Sequence, residues 1–113
     1  MDCTVISPEF SISGQITPED VITLAGLGVT NLICNRPDAE EAQQPSFADI
    51  AGQAKRLNLN CHYQPVQSGQ VTTKDVEAFS RLLSTSKGKT HAYCRTGRRC
   101  ATLWSMAQDA ARE

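Results

Sequence analysis

The chain lacks a marked excess of either charge and lacks any long hydrophobic run. It has 11 basic and 12 acidic residues among 113, which leaves a net charge of -1. Nucleic acids and anionic membranes attract basic surfaces, so neither is an expected partner. No apolar stretch approaches the roughly 20 residues of a membrane span, and the N-terminal "MDCTVISPEF" has neither region of a signal peptide. We therefore expect a cytoplasmic protein.

The chain also lacks the spacings of disulfide frameworks and zinc sites. Its five cysteines are Cys3, Cys34, Cys61, Cys94 and Cys100. An odd number without a secretion signal argues against a disulfide framework. No C-x-x-C pair occurs, and His62 and His91 are not spaced as paired ligands, so neither a metal nor another cofactor is expected. Cys34 and Cys61 lie in apolar, strand-like segments and are interpreted as buried packing residues.

Strand-like and helix-like segments alternate along nearly the whole chain. The residue patterns predict strands at 3–7, 10–14, 29–35, 61–66 and 89–93. Capping residues and apolar periodicity predict helices after Thr17, after Ser46, after Thr72 and from Cys100. This order predicts one α/β domain over residues 1–113, a mostly parallel sheet with helices on both faces. Ligands bind such sheets at the C-terminal strand ends, so we expect the loops 36–41 and 94–99 to share a pocket.

The stretch "HAYCRTGRRC" has the features of an anion-binding loop with a reactive cysteine. If a strand ends at Tyr93, the backbone N–H groups that follow Cys94 point into one concavity at a helix N-terminus. That field stabilises a thiolate as well as a bound anion. The loop residues are Arg95, Thr96, Gly97, Arg98 and Arg99. Glycine suits a turn with an unusual φ, and an arginine can grip a tetrahedral oxyanion.

A nucleophilic cysteine needs a proton donor for its leaving group. Asp38, Glu40 and Glu41 lie in the loop expected to face the cysteine. We choose Asp38 as the general acid. His62 and His91 lie within or beside strands and are interpreted as packing or hydrogen-bonding residues.

Separated motifs of the chain resemble one known family. "SGQ", "NRPD-E", "QPS" and "CRTG-R---LW" are similar to the phosphatase-like domain of the beta-lactamase-hydrolase-like proteins, across roughly residues 10–107. The resemblance implies a fold like that of tyrosine and dual-specificity phosphatases. It also implies phosphomonoester hydrolysis through a phosphocysteine, with Cys94 as nucleophile, Arg99 and the loop as phosphate cradle, and Asp38 in the "RPD" segment. Members occur alone or fused to a persulfide dioxygenase, so such an enzyme is an expected partner.

The cysteine loop departs from the wider phosphatase pattern in its length. Cysteine phosphatases place five residues between cysteine and arginine, whereas here Arg99 comes one residue early and Cys100 stands where arginine is expected. The short loop is similar to that of rhodaneses, which leaves open a sulfurtransferase that carries a persulfide on Cys94 and takes a sulfur-donor substrate.

Three further alternatives concern binding, redox chemistry and assembly. The loop suits a module that binds an anion or a phosphorylated partner with little turnover. Cys94 and Cys100 are spaced as a redox pair, although a strand-to-helix turn restricts a disulfide. A thinly covered far side of the sheet would favour a homodimer.

Overall fold

The computed structural model describes residues 1–112 and contains a five-stranded sheet with helices on both faces. The elements are β1 (Thr4–Ser7), β2 (Phe10–Ser13), α1 (Pro18–Gly26), β3 (Val29–Cys34), α2 (Phe47–Arg56), β4 (Asn60–Tyr63), α3 (Thr73–Thr85), β5 (Lys89–Tyr93) and α4 (Arg98–Ala111). The strand order is β1-β2-β5-β3-β4. β1 is antiparallel to β2, and the other neighbouring strands are parallel. The predicted fold class is confirmed, with β5 as the central strand.

Short-range interactions at the helix starts explain why these helices begin where they do. Thr17 and Asp20 form a reciprocal capping box at α1, with Pro18 at the first helical position. Thr72 and Asp75 form the same box at α3. These starts were predicted from the sequence and are confirmed.

Side chains alternate between two core layers along the central strands. On β3, Leu32 and Cys34 pack toward α1 and α2, whereas Ile33 packs toward α3 and α4. On β5, Ala92 belongs to the α3/α4 layer and Tyr93 to the α1/α2 layer. Successive strand residues point to opposite faces, so the next residue, Cys94, returns to the α3/α4 layer.

Two boundaries differ from the sequence-based predictions. β4 ends at Tyr63 and not at Val66, although the N–H groups of Gln64 and Val66 still donate to the carbonyls of Cys34 and Asn35. α4 begins at Arg98 and not at Cys100, with Gly97 as its N-cap residue. Arg98 and Arg99 therefore lie inside the first turn of the helix, and the connection from β5 to α4 is shorter than predicted.

Two kinds of feature are absent from residues 1–112. No helix there has the length and apolar character that crossing a membrane demands. In the same part of the chain, no three His, Cys, Asp or Glu side chains group as ligands for a metal ion.

Candidate active site

The candidate site lies at the C-terminal end of β5. Cys94 directly follows Tyr93, and its N–H donates to the carbonyl of Ser13, the last residue of β2, over 3.4 Å. On the other side, the N–H of Asn35, just after β3, donates to the carbonyl of Tyr93 over 2.9 Å. The central strand therefore brings the segments that follow β2 and β3 up against the cysteine.

Two glycines permit this close approach. Gly97 has a φ of 93°, in the left-handed region, which agrees with the predicted turn of unusual φ. A Cβ on Gly14 would lie 2.8 Å from the carbonyl oxygen of Arg95, which is too close for any side chain. The N–H of Gln15 also donates to that same oxygen over 3.2 Å. The segment after β2 therefore packs directly against the cysteine loop. This contact was not predicted from the sequence.

The environment of Cys94 stabilises a thiolate. The pKa of this buried thiol falls from 9.0 to about 5, chiefly because the thiol of Cys100 donates a hydrogen bond to it. Burial by itself raises the pKa of Cys94, whereas hydrogen bonds from the backbone N–H groups of Thr96, Arg99 and Cys100 lower it. The N–H of Gly97 also donates to the sulfur, over 3.1 Å. With the N-terminus of α4 pointing at the same place, Cys94 is ionised at neutral pH.

The single S–H proton of Cys100 has two acceptors within reach. Cys100 donates to the side-chain oxygen of Asn35 over 3.3 Å, and it also lies against the sulfur of Cys94. A charged acceptor forms the stronger hydrogen bond, so the proton turns to Cys94 when that sulfur is a thiolate. Cys100 therefore serves as a switchable donor.

Replacement of Cys100 by alanine should make Cys94 less acidic. Loss of a hydrogen bond to a charged group costs about 1.5 kcal/mol, so the pKa of Cys94 should rise by about 1. Because the thiolate is the reactive form, the pH at which iodoacetamide modifies Cys94 at half its maximal rate should rise by the same amount. Cys100→Ser keeps a donor and is the matched control. Identical pH profiles for Cys100→Ala and the unmodified chain would contradict this role.

The other buried thiols stay protonated. Burial raises the pKa of Cys34, raises that of Cys61 to about 12, and raises that of Cys100 well above the ordinary value. Cys34 is buried as predicted, whereas Cys61 is only half-buried. Cys100 contacts Cys94, which is compatible with the predicted redox pair. We expect mild peroxide to convert Cys94 to a sulfenic acid that Cys100 then captures as a disulfide. Free thiols after that treatment, seen by mass spectrometry, would contradict it.

Arg99 lies between the nucleophile and an acidic side chain. Its guanidinium forms a fork with Glu40, with Nη1 to Oε2 at 2.8 Å and Nη2 to Oε1 at 2.9 Å, and Nη1 donates to the carbonyl of Val66 at 2.9 Å. Arg99 is 7% exposed and also approaches the sulfur of Cys94. The arginine fork, with help from Arg36, lowers the pKa of Glu40 to about 2. Glu40 is therefore an ionised clamp that fixes the orientation of Arg99.

A second arginine fixes the loop that carries Glu40. Arg36 is 3% exposed, and it donates from Nε to Glu40 at 2.9 Å and from Nη2 to Glu41 at 2.8 Å. Glu41 also accepts from Nε of Arg95 at 2.9 Å. Loop 36–41 and the cysteine loop thus lie together, joined by alternating charges. That they share one pocket stays a prediction. Arg36 was not among the residues predicted for the site, although three acids after an arginine in "RPDAEE" signal such a pairing.

Asp38 occupies a different position from its two acidic neighbours. Its carboxylate accepts from the N–H of Phe47 at the start of α2, over 2.8 Å, and its own N–H donates to the hydroxyl of Tyr63. The side chain is exposed and has no hydrogen bond with the cysteine loop in the part of the chain described. The structure thus places the predicted general acid at the edge of the site and brings Glu40 to its centre.

The two histidines are not placed as catalytic bases. His91 is fully buried, and its ring contacts the hydroxyls of Ser11 at 2.7 Å and Ser13 at 2.8 Å. Burial lowers the pKa of His91 to about 4, so it is neutral and supports the end of β2. His62 lies on the edge strand β4.

The fold is that of a single phosphatase-like α/β domain with a mostly parallel sheet. A solved structure of a candidate phosphatase from Neisseria meningitidis superposes with a TM-score of 0.89 at 38% identity, over 96% of this chain and 77% of that one. A candidate phosphatase from Shewanella putrefaciens shares the fold, with a TM-score of 0.82 at 20% identity, over 94% of this chain and 66% of that one.

The family follows from a match over nearly the whole chain. Residues 2–111 match the family of the beta-lactamase hydrolase-like protein, phosphatase-like domain, and the chain belongs to that family. Two beta-lactamase hydrolase-like proteins, from two strains of Xylella fastidiosa, are each 31% identical to it over 103 residues. The match covers 91% of this chain and 24% of each relative, so the chain spans about a quarter of their length.

Proposed function

We propose that this domain hydrolyses phosphomonoesters through a phosphocysteine intermediate on Cys94. The observation that carries the proposal is a buried cysteine with a pKa of about 5, surrounded by backbone N–H donors and by Arg99. This is the arrangement that nucleophilic displacement on a dianionic phosphate needs, because the same donors lower the thiol pKa and hold the equatorial oxygens. Membership of a phosphatase-like family supports the same chemistry.

The reaction would proceed in two displacements on phosphorus. The Cys94 thiolate attacks phosphorus, an S–P bond forms, and the ester P–O bond breaks as the leaving oxygen takes a proton from a general acid. Water then attacks the phosphocysteine, gives its proton to the same carboxylate, and releases inorganic phosphate and the thiolate. Arg99 and the loop N–H groups stabilise the negative charge in both steps. Glu40 keeps Arg99 in place without taking part in proton transfer, because its pKa is about 2.

Asp38 is the proposed general acid. Glu40 is held by two arginines, and its pKa of about 2 leaves it without a proton to give. Glu41 is held in ion pairs with Arg36 and Arg95. Asp38 is exposed in the same loop: its carboxylate accepts from the N–H of Phe47, and its own N–H donates to the hydroxyl of Tyr63. Its carboxylate would have to leave the start of α2 when the substrate binds, a movement that a loop residue allows.

Trapping of the intermediate tests the proposal directly. The protein would be mixed with an aryl phosphate, quenched in acid within one turnover and analysed by peptide mass spectrometry. We expect Cys94 to gain the mass of one phosphoryl group, and Cys61 to serve as an internal control that stays unmodified. Turnover without any phosphorylated cysteine would overturn the proposed mechanism.

Sulfur transfer is the second candidate, and the length of the loop favours it. Only four residues separate Cys94 from Arg99, so the cradle is smaller than the usual phosphate loop. The thiolate would attack the outer sulfur of thiosulfate, form a Cys94 persulfide and release sulfite, and a thiol or cyanide would then accept the sulfur. A persulfide dioxygenase is the proposed partner, since it would consume the persulfide product.

The two candidate reactions differ in their need for a proton donor. Sulfite leaves as an anion, so Asp38→Asn should slow phosphoester hydrolysis and spare sulfur transfer. Incubation with thiosulfate should add the mass of one sulfur atom to Cys94 if the second reaction operates. Tight anion binding with turnover of neither substrate would support the binding module instead.

A further inference from the structure

A cleft of about 560 Å³ adjoins the cysteine loop and continues along α4. Its lining includes Arg98, Thr102 and Met106, which recur every four residues and so share one face of the helix. At 1.5 Å per residue these three span about 12 Å. A phosphoryl group bound at Cys94 would leave most of this length unfilled, so the cleft has room for the rest of a larger substrate.

Positive charge in the cleft is balanced at two of its three arginines. Arg99 is paired with Glu40, and Arg95 is paired with Glu41. Arg98 is exposed; its backbone N–H donates to the hydroxyl of Thr96 at 3.3 Å, and its guanidinium donates no hydrogen bond within residues 1–112. Within residues 1–112 its guanidinium has no carboxylate within 4.0 Å.

The positive charge of Arg98 lies where it disfavours the stability of α4. It is the first residue of α4, where the helix dipole disfavours a cation, and no acid lies in the first turn to offset it. An arginine there contributes nothing to the helix, yet its charge lies in the wall of the cleft next to the anion loop. Such a placement is explained by an anion that comes from outside the chain.

The cleft also has apolar lining residues. Val71 and Met106 line it, and Met106 is 41% exposed. The cleft therefore presents the thiolate loop, an unpaired arginine and an apolar surface.

We propose that the substrate is an organic phosphate with a second anionic group beside the transferred one and an apolar part beyond it. Arg98 binds the second anion, a carboxylate or a phosphate, and so determines specificity. The inference rests on the proposed function in taking Cys94 as the site of the transferred group.

Matched ligands test this inference without requiring turnover. Calorimetry on the Cys94→Ser protein would compare 3-carboxyphenyl phosphate, its neutral isostere 3-carbamoylphenyl phosphate, and 1,3-phenylene bisphosphate. We expect one or both of the doubly anionic ligands to bind about threefold to fivefold more tightly than the amide at low ionic strength, as for an exposed ion pair. The advantage should shrink as salt is added. The two anionic ligands distinguish a carboxylate from a phosphate as the second group.

Arg98→Gln and Arg81→Gln, each in the Cys94→Ser background, form a charge-matched pair of variants. Arg98→Gln should reduce the ratio of affinities between the doubly anionic ligands and the amide to about one. Arg81→Gln, which does not lie in this cleft, should leave that ratio unchanged. Equal binding of all three ligands by the Cys94→Ser protein, or an advantage that survives Arg98→Gln, would overturn the inference. Failure of phosphatase chemistry would appear separately, as an absence of hydrolysis by the unmodified chain.

Discussion

Replacement of Cys94 by serine is expected to lower phosphoester hydrolysis by roughly 10⁴-fold or more. The thiolate exists at neutral pH because the pKa of Cys94 is about 5. A serine hydroxyl in the same place remains protonated, since the donors that stabilise a thiolate do not bring an alcohol within range of neutral pH. Initial rates with an aryl phosphate at pH 7 would measure the loss, and the phosphorylated intermediate should disappear with it.

Cys3→Ser is the matched control for this prediction. Cys3 is exposed and lies outside the cysteine loop, so the same change of sulfur to oxygen should leave the rate unaltered. Circular dichroism and the thermal midpoint would establish that both variants fold. Hydrolysis that persists in Cys94→Ser at the original rate would assign the chemistry to another group.

Replacement of Arg99 by lysine is expected to lower kcat by roughly 10²- to 10³-fold, the usual effect of removing a transition-state donor. Lysine keeps the positive charge but cannot form the fork with Glu40 and donate to a bound oxyanion at the same time. Glu40 and the carbonyl of Val66 orient the guanidinium, so the substitution also removes N–H donors that are already held in a fixed orientation. Steady-state kinetics would separate the fall in kcat from any change in KM.

Two further variants make the result for Arg99 interpretable. Arg81→Lys, on α3, is the control for an arginine-to-lysine change and should have no effect. Glu40→Gln should cost less than Arg99→Lys, because Arg99 remains bound to Val66. If Arg99→Lys retained full kcat, Arg99 would not be a transition-state donor.

The Glu40 clamp stays ionised over a wide range of pH. The folded-state pKa of Glu40 is about 2, below its ordinary value of 4.5. Its pairing with Arg99 and Arg36 therefore stabilises the fold fully at pH values above about 4.5 and is lost as the pH falls through about 2. At neutral pH the clamp is closed, so any change of the hydrolysis rate with pH in that range should not arise from Glu40.

Much of the site could be predicted because its signals are local. A cysteine after a strand, a glycine three residues later and a helix start determine where the N–H groups point, and Gly97 adopts an unusual φ as predicted. The acidic partner was harder to predict. Asp38, Glu40 and Glu41 lie within four positions of one another, and a shift of two residues in an irregular loop reverses which side chain faces the site.

The sequence by itself determined the fold class, the helix starts and the anion loop, since capping boxes, periodicity and turn glycines act over a few residues. Only the tertiary structure decided the pairing of Glu40 with Arg99, 59 positions apart, and the contact of Gly14 with Arg95. Both depend on the strand order, which inserts β5 between β2 and β3. Strand order results from packing of the whole chain, and no short segment encodes it.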